Sequence, residues 1–114
     1  MIAAVKTITT WQMKQFAYLL DRLRSTPEGE GTLLDHSLVM FGNSMSECNG
    51  HKNDNVPTIL AGRGNGAIEP GLSIELEPET PRANLYLSML EAVGVQLDSF
   101  GAHGTGPLLE LVAE

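Results

Sequence analysis

Hydrophobic positions recur at helical spacing in the first part of the chain. A threonine hydroxyl can accept a hydrogen bond from an early backbone N–H of a helix, so Thr9 or Thr10 is the expected cap of a helix that runs to about Ser25. Polar residues occupy the other positions, as in a helix that packs one face on the rest of the protein. The predicted apolar face consists of Met13, Phe16, Ala17, Leu20 and Leu23. A turn-rich stretch at 26–31 then ends this first unit.

A second helix is predicted in the C-terminal half. Thr80 is its expected cap and Pro81 its first residue, a position where the missing N–H of proline has no cost. Gly94 is the expected end, because glycine readily adopts the left-handed conformation that terminates many helices. Beyond it, residues 99–106 are expected to form a loop and residues 108–112 a short apolar turn. The predicted apolar face of this helix is Leu85, Tyr86, Met89, Leu90 and Val93.

Three stretches between the helices are predicted to form strands. Residues 37–41 are a short apolar run of the kind found in strands covered on both faces. Residues 56–61 repeat this character, with Pro57 expected at the beginning because proline cannot donate to a ladder. Residues 72–76 alternate between apolar and polar, as in a half-exposed edge strand. The predicted fold class is therefore α/β, a small sheet of about three strands with two main amphipathic helices.

Length and composition agree with one folded domain over residues 1–114. Of the 114 residues 42% are hydrophobic and 18% charged, values typical of globular domains. The 14 acidic and 7 basic side chains give a formal charge of -7, which disfavours nucleic acid as a partner because like charges repel. No apolar run is long enough to span a bilayer, and residues 1–10 lack the features of a signal peptide. No membrane association is expected.

One polar loop, residues 43–55, concentrates groups that can carry chemistry. It follows the first predicted strand, and open α/β sheets usually bind ligands beyond the carboxyl ends of their strands. Glu47, His51 and Asp54 offer oxygen and imidazole ligands of the kind that zinc, manganese or magnesium accept. Ser44 or Ser46 can act as a nucleophile only if a base lies nearby. The alternative is a solvated connection whose polar side chains hydrogen-bond to their own backbone.

The other candidates each have a structural alternative. Asp35 beside His36 can form an acid/base pair, but adjacent polar residues before a strand more often form a turn. His103 can contact a ligand, or it is an exposed histidine of a loop. Cys48 needs a nearby base to act as a thiolate, and is otherwise an incidental thiol. The glycines of 62–66 have a phosphate-loop appearance, but no good helix start and no Lys-Ser/Thr pair follows them.

Several segments carry a resemblance that covers nearly the whole chain. They are YLLDRL at 18–23, TPEGEGTLLD at 26–35, GNSMS at 42–46, His51, NVPTILAG at 55–62, TPRANL at 80–85, FG at 100–101 and TG at 105–106. In this order they resemble the C-terminal part of the bacterial HXXSHH-motif family, a domain of unknown function. The histidine-serine-histidine-histidine motif and an N-terminal half with a nucleophile are absent from this sequence. We therefore expect the chain to be the C-terminal segment of a larger family architecture.

The resemblance implies a fold and a metal site. The family is distantly similar to the alkaline-phosphatase and sulfatase superfamily, which implies the C-terminal portion of an alkaline-phosphatase-like fold. By that analogy the polar loop holds a divalent metal, and Ser46, Glu47 and His51 are the residues that carry over. This sequence departs from the family at Glu47, where aspartate is usual, and at Asn53, near which a further histidine often occurs. Family members are generally exported, so the resemblance favours an exported or periplasmic protein.

Two functions from different classes follow. The first is a noncatalytic fragment or accessory domain that covers its apolar faces by self-association or against a missing N-terminal half, because open strand edges and uncovered apolar area favour such contacts. The alternative is the metal-site segment of a metal-dependent phosphate or sulfate ester hydrolase, with Glu47 and His51 as ligands. Catalysis by this chain alone is not expected, because ligands without a nucleophile cannot complete the reaction.

Overall fold

A computed structural model of the chain describes residues 2–43 and 54–112. Its regular elements are the helices α1 (Ile2–Ser25) and α2 (Arg82–Ala92), the strands β1 (Pro27–Glu28), β2 (Gly31–Thr32), β3 (Val39–Gly42) and β4 (Thr58–Ala61), and the 3-10 turns Gly64–Gly66 and Leu109–Leu111. Helices and small sheets are thus mixed, which agrees with the predicted α/β class in general terms. Within these ranges, neither helix has the length and apolar character needed to cross a bilayer.

Helix α1 begins at Ile2, so the predicted cap at Thr9 or Thr10 is wrong. Both threonines lie inside the helix. The residues before them are compatible with helix, since Thr7 satisfies its hydroxyl within the helix by donating to the carbonyl oxygen of Ala3 at 2.9 Å. A threonine therefore marks a possible helix start without requiring one.

The predicted packing face of α1 is confirmed in its main positions. Phe16 is buried, and Met13, Leu20 and Leu23 are half-buried, whereas Ala17 is exposed. The Phe16 ring lies 5.1 Å from the ring of Phe41 in β3, measured between centroids. This contact joins the helix to the strand that precedes the polar loop.

Helix α1 ends at Ser25, as predicted, and the chain turns back at once. Strands β1 and β2 pair antiparallel, with Pro27 opposite Thr32. Gly29 adopts φ 58° between them, a left-handed conformation that favours glycine. The turn predicted at 26–31 is therefore a very short β-hairpin.

Strands β3 and β4 confirm two of the three predicted strands. They pair antiparallel, with Val39 opposite Ala61 and Gly42 opposite Thr58. The apolar residues of β3 are half-buried, and Ile59 in β4 is exposed, so the strands are not covered on both faces. The sheet formed by β3 and β4 has two strands.

The third predicted strand is wrong. Residues 72–76 belong to no strand and pair with none of the described residues. Leu72, Ile74 and Leu76 are all exposed. Alternation of apolar and polar residues is typical of a half-buried strand, but a strand also needs a partner edge, and the two-stranded sheet does not extend to this segment.

Helix α2 starts one residue later than predicted. Pro81 is the N-cap, with φ -67° and ψ 137°, and the first helical residue is Arg82. Thr80 does not cap the helix, because its hydroxyl donates to the carbonyl oxygen of Glu77 at 2.6 Å.

The predicted end of α2 at Gly94 is confirmed, with φ 87°. The N–H of Gly94 donates to the carbonyl oxygen of Glu91 at 3.0 Å, and the N–H of Val95 donates to that of Leu90 at 2.9 Å. These two bonds are the pair of a Schellman motif, which satisfies the last carbonyl groups of a helix.

The buried face of α2 differs from the predicted apolar face. Its buried residues are Asn84, Leu87 and Ser88, whereas Val93 is 63% exposed. Leu85, Tyr86, Met89 and Leu90 are half-buried. Two polar side chains are thus more buried than any member of the predicted stripe, and their partners lie in the C-terminal segment.

The C-terminal segment returns to the centre of the molecule. Residues 109–111 form the short apolar turn that the sequence predicts. Ile68 pairs with Val112 through an antiparallel bridge, and the N–H of Glu69 donates to the carbonyl oxygen of Leu111 at 3.1 Å. The buried apolar residues of the described ranges are few, namely Phe16, Ile68, Leu87 and Leu108.

Candidate functional site

The metal site expected from the sequence lies outside the described residues. Ser46, Glu47 and His51 all belong to the undescribed part of the polar loop, as does Cys48. Their arrangement therefore stays a prediction.

The frame of the polar loop is described on both sides. Gly42 at the end of β3 lies opposite Thr58 at the start of β4, so the loop leaves and re-enters at one end of the sheet. A Cβ atom at Gly42 would come within 3.3 Å of the Thr58 hydroxyl oxygen. The two strands thus hold the ends of the loop close together.

Asp35 and His36 do not form an acid/base pair. The Oδ2 atom of Asp35 accepts hydrogen bonds from the N–H of Thr32 at 2.9 Å and from its hydroxyl at 3.0 Å. The Nδ1 atom of His36 lies 2.8 Å from Oε2 of Glu28 instead. The interpretation of Asp35 and His36 as turn residues is confirmed, because each side chain hydrogen-bonds to a different nearby residue.

The contacts of Asp35 shift its acidity. The hydrogen bond from the Thr32 N–H is the largest of the causes that lower the pKa of the Asp35 carboxyl, followed by the bond from the Thr32 hydroxyl. The positive charges of Arg63 and His36 act in the same direction, and partial desolvation opposes them. Asp35 is therefore ionised at neutral pH, and its carboxylate stabilises the turn by accepting the two hydrogen bonds from Thr32.

A small open cleft of about 340 Å³ lies beside this turn. Its lining mixes acidic and basic side chains with glycines, namely Glu30, Gly31, Asp35, His36, Arg63, Asn65 and Gly66. Nowhere in 2–43 or 54–112 do three or more His, Cys, Asp or Glu side chains group closely enough to hold a metal ion. The cleft therefore supplies no replacement for the metal site expected in the polar loop.

The glycine-rich stretch at 62–66 serves the fold and not a phosphate. The N–H of Gly64 donates to the carbonyl oxygen of Ser37 at 3.1 Å, and the N–H of Asn65 donates to that of Asp35 at 2.9 Å. These are the backbone donors that a phosphate-binding loop would present to its ligand. Because the protein itself uses them, the sequence-based rejection of a phosphate loop is supported.

His103 lines a larger open cleft of about 590 Å³. The rings of Tyr86 and Phe100 meet there edge to face, with centroids 5.3 Å apart. Arg82 lies at the same cleft. His103 itself is exposed on a turn, which agrees with the interpretation as a loop histidine.

Among the described residues, a hydrogen-bonded polar cluster lies between α2 and the C-terminal segment. Oδ1 of Asn84 accepts from the N–H of Thr105 at 2.8 Å and from the N–H of Gly106 at 3.4 Å. Its Nδ2 donates to the Thr105 hydroxyl at 3.0 Å. Ser88 Oγ donates to the carbonyl oxygen of Asn84 at 3.1 Å and accepts from the N–H of Leu108 at 2.6 Å. Two buried side chains thus fix the path of the chain.

Sequence reasoning missed this cluster. Asn84 and Ser88 are four residues apart and so share one helix face, but apolar residues on other faces dominated the pattern. Within the described residues no buried side-chain N or O atom lacks a partner. The sequence does offer one signal for this cluster. Asn84 and Ser88 lie at helical spacing, and a glycine-rich segment follows the helix.

No protein-family model, curated protein or solved structure matches this sequence. The resemblance to the HXXSHH-motif family therefore rests on the segments of the sequence that carry it. The functions drawn from that resemblance remain proposals.

Proposed function

We propose that this chain is a noncatalytic accessory segment of the HXXSHH-motif family, with a fold like the C-terminal portion of the alkaline-phosphatase superfamily, and that it associates with a second copy of itself through α1. The family assignment is supported by the ordered segments of the sequence. The association is carried by one observation, an apolar stripe of α1 that is packed in one half of the helix and uncovered in the other.

The stripe follows from helix geometry. Eighteen residues make five turns at 3.6 residues per turn, so Ile2 lies on the same face as Leu20, and Val5 on the same face as Leu23. Leu20 and Leu23 are half-buried. Ile2 and Val5 are 85% and 51% exposed. The face that packs on the protein in the second half of α1 therefore continues into solvent in the first half.

Further large apolar side chains in the same part of α1 are uncovered. Ile8 and Trp11 are 58% and 61% exposed. Large exposed apolar patches mark sites of protein–protein contact. A second copy would cover part of this surface.

Charge distribution favours a second copy as the partner. Helix α1 carries four of the seven Lys and Arg residues and one of the 14 Asp and Glu residues, a formal charge of +3. The rest of the chain carries three basic and 13 acidic side chains, a formal charge of -10. The helix of one copy is thus attracted to the body of another, and added salt is expected to weaken the association.

The test is a charged substitution on the stripe with a matched control. Val5→Glu replaces an apolar side chain that the partner would bury with a carboxylate. Burial of a valine side chain contributes about 1.5 kcal/mol or more to the binding free energy, so the dissociation constant should rise at least about tenfold. Gln15→Glu adds the same charge to the same helix at an exposed polar position. Sedimentation velocity compares the two variants with the parent. Equal effects of the two substitutions would rule out the stripe as the interface.

A second candidate is the metal-site segment of a phosphate or sulfate ester hydrolase. It is supported by the β3 and β4 frame, which brings both ends of the polar loop to one end of the sheet, with Ser46, Glu47 and His51 between them. Thermal unfolding with zinc, manganese and magnesium tests it, because an ion that binds only the folded state raises the midpoint. A rise in the parent that disappears in His51→Ala supports this candidate. No rise in the parent supports the noncatalytic proposal.

A further inference from the structure

Within the C-terminal segment 105–112, residues 105–108 lie on α2 in the manner of a bound peptide, and residues 111 and 112 bond instead to Glu69 and Ile68. Three of the residues 105–108 possess a backbone N–H, and each of these N–H groups donates to a side chain of α2. The remaining residue, Pro107, has no N–H to satisfy. Every backbone N–H group of residues 105–108 is therefore paired with an oxygen atom of Asn84 or Ser88.

The surface that receives residues 105–108 is formed by Asn84 and Ser88, with the buried Leu87 between them in the helix, and we name it the α2 groove. Leu87 and Ser88 are among the most buried side chains described, and Asn84 is buried with them. The groove contacts mainly the backbone of the segment, with the Thr105 hydroxyl as the one side-chain group that hydrogen-bonds to it among the described contacts. Such recognition depends on an extended segment of this sequence and not on its covalent attachment to the same helix.

The attachment of the segment is a long exposed connection. Residues 95–103 are exposed and contain no helix or strand. Their contact with α2 includes the ring of Phe100, which meets the ring of Tyr86. Gly101 adopts φ 63°, a conformation that favours glycine. Segments with little burial in their connections open as units at lower free energy than the whole fold.

We propose that the α2 groove is a peptide-binding site and that it also binds segment 105–112 of a second copy, so that two chains exchange these segments. Every hydrogen bond named above is kept in the exchanged pair, because the groove and the segment are unchanged. Exchange then depends on the concentration of the second copy relative to the effective concentration of the attached segment. It does not require the association through α1.

A complementation experiment with two full-length variants tests the exchange. Asn84→Ala removes the acceptor of the groove and leaves the segment intact. Leu108→Asp damages the segment, because Leu108 is only 8% exposed, and leaves the groove intact. Each variant alone lacks one half of the contact, but a mixed pair contains one intact groove and one intact segment.

The readout is hydrogen exchange at the backbone amides of Thr105, Gly106 and Leu108 in an isotope-labelled Asn84→Ala chain. An excess of unlabelled Leu108→Asp chain should slow this exchange about tenfold or more, since binding protects the amides by mass action. The control partner is the double variant Asn84→Ala, Leu108→Asp, which should give no protection. Equal exchange with both partners would overturn the proposal.

Two additions keep the outcome decisive. If circular dichroism shows that Leu108→Asp has lost helix, Leu108→Ala replaces it and the same comparison is made. All chains are also prepared with Val5→Glu, which removes the α1 stripe from the experiment. Protection that persists with Val5→Glu supports exchange even if α1 does not associate, and protection that is lost with Val5→Glu contradicts exchange as a separate contact.

Discussion

Gly62 allows the end of β4 to approach the turn that precedes β3. Its φ is 98°, and a Cβ atom there would overlap the carbonyl oxygen of Ser37 and come within 3.0 Å of the carbonyl oxygen of Leu34. Both contacts are with backbone, which cannot rotate away as a side chain can. Glycine is required here for its conformation and for its size.

Gly62→Ala should therefore destabilise the fold more than backbone strain alone does. Gly66→Ala is the matched control, because Gly66 has φ 90° but nothing within 4 Å of the added Cβ atom. Strain at such a φ costs about 1–3 kcal/mol, and the overlap at Gly62 adds to it. Denaturant unfolding measures both variants. A Gly62→Ala free energy of unfolding equal to that of Gly66→Ala would show that the close approach is absent in solution.

Asp35 makes the stability of its turn sensitive to acid. Its pKa is lowered in the folded state from an ordinary value of 3.8, so its stabilising contribution is complete above that pH and is lost as pH falls through the lower folded-state pKa. Asp35→Asn should remove this part of the acid dependence, whereas Asp98→Asn, at an exposed site, should retain it. Unfolding between pH 2 and 6 provides the measurement. If the free energy of unfolding depends on pH identically in the two variants, Asp35 is not the source of this acid dependence.

Buried polar side chains explain the main error of the sequence analysis at this scale. The apolar pattern predicted the wrong face of α2, because Asn84 and Ser88 are buried against residues about 20 positions away in sequence. Burying an amide or a hydroxyl is tolerated only when its hydrogen bonds are made. Those partners are supplied by tertiary structure, which residue spacing within one helix does not reveal.

At the scale of elements, α1 consists of two halves with different surroundings. The second half packs through Phe16 on Phe41, and residues 2–12 of the first half are all exposed. Isolated helices are marginal in water, and most helical stability in proteins comes from packing of an apolar face. The first half therefore depends on the second half and on any partner.

Hydrogen exchange of α1 should depend on protein concentration. In dilute solution the amides of residues 6–10 should exchange faster than those of residues 16–23, because only the latter half is packed within the chain. At concentrations that favour the second copy, protection of residues 6–10 should rise. Protection of residues 6–10 that does not change with concentration would contradict burial of this half in a second copy.

The elements themselves were predictable where local chemistry sets them. The end of α1, the end of α2 at Gly94, and the two strands β3 and β4 all follow from breakers and apolar runs. The start of α1 was not predictable from Thr9 or Thr10, since neither residue is forced to cap. The strand expected at 72–76 failed because alternation does not reveal whether a partner edge exists.

At the scale of the whole molecule, the chain is unevenly charged. Helix α1 has a formal charge of +3, and the rest of the chain has a formal charge of -10. The candidate metal residues Ser46, Glu47 and His51 were identified by composition and resemblance alone, and the structure describes only the strands that flank them. Neither the extent of uncovered surface nor the contrast between α1 and the body follows from total composition.

Sedimentation equilibrium of the unmodified chain, over a range of concentrations at low salt, tests the central claim most directly. If α1 covers its apolar stripe with a second copy, the weight-average mass rises with concentration from the 12.3 kDa of one chain towards twice that value. A mass that stays at that of one chain at every concentration would contradict the account.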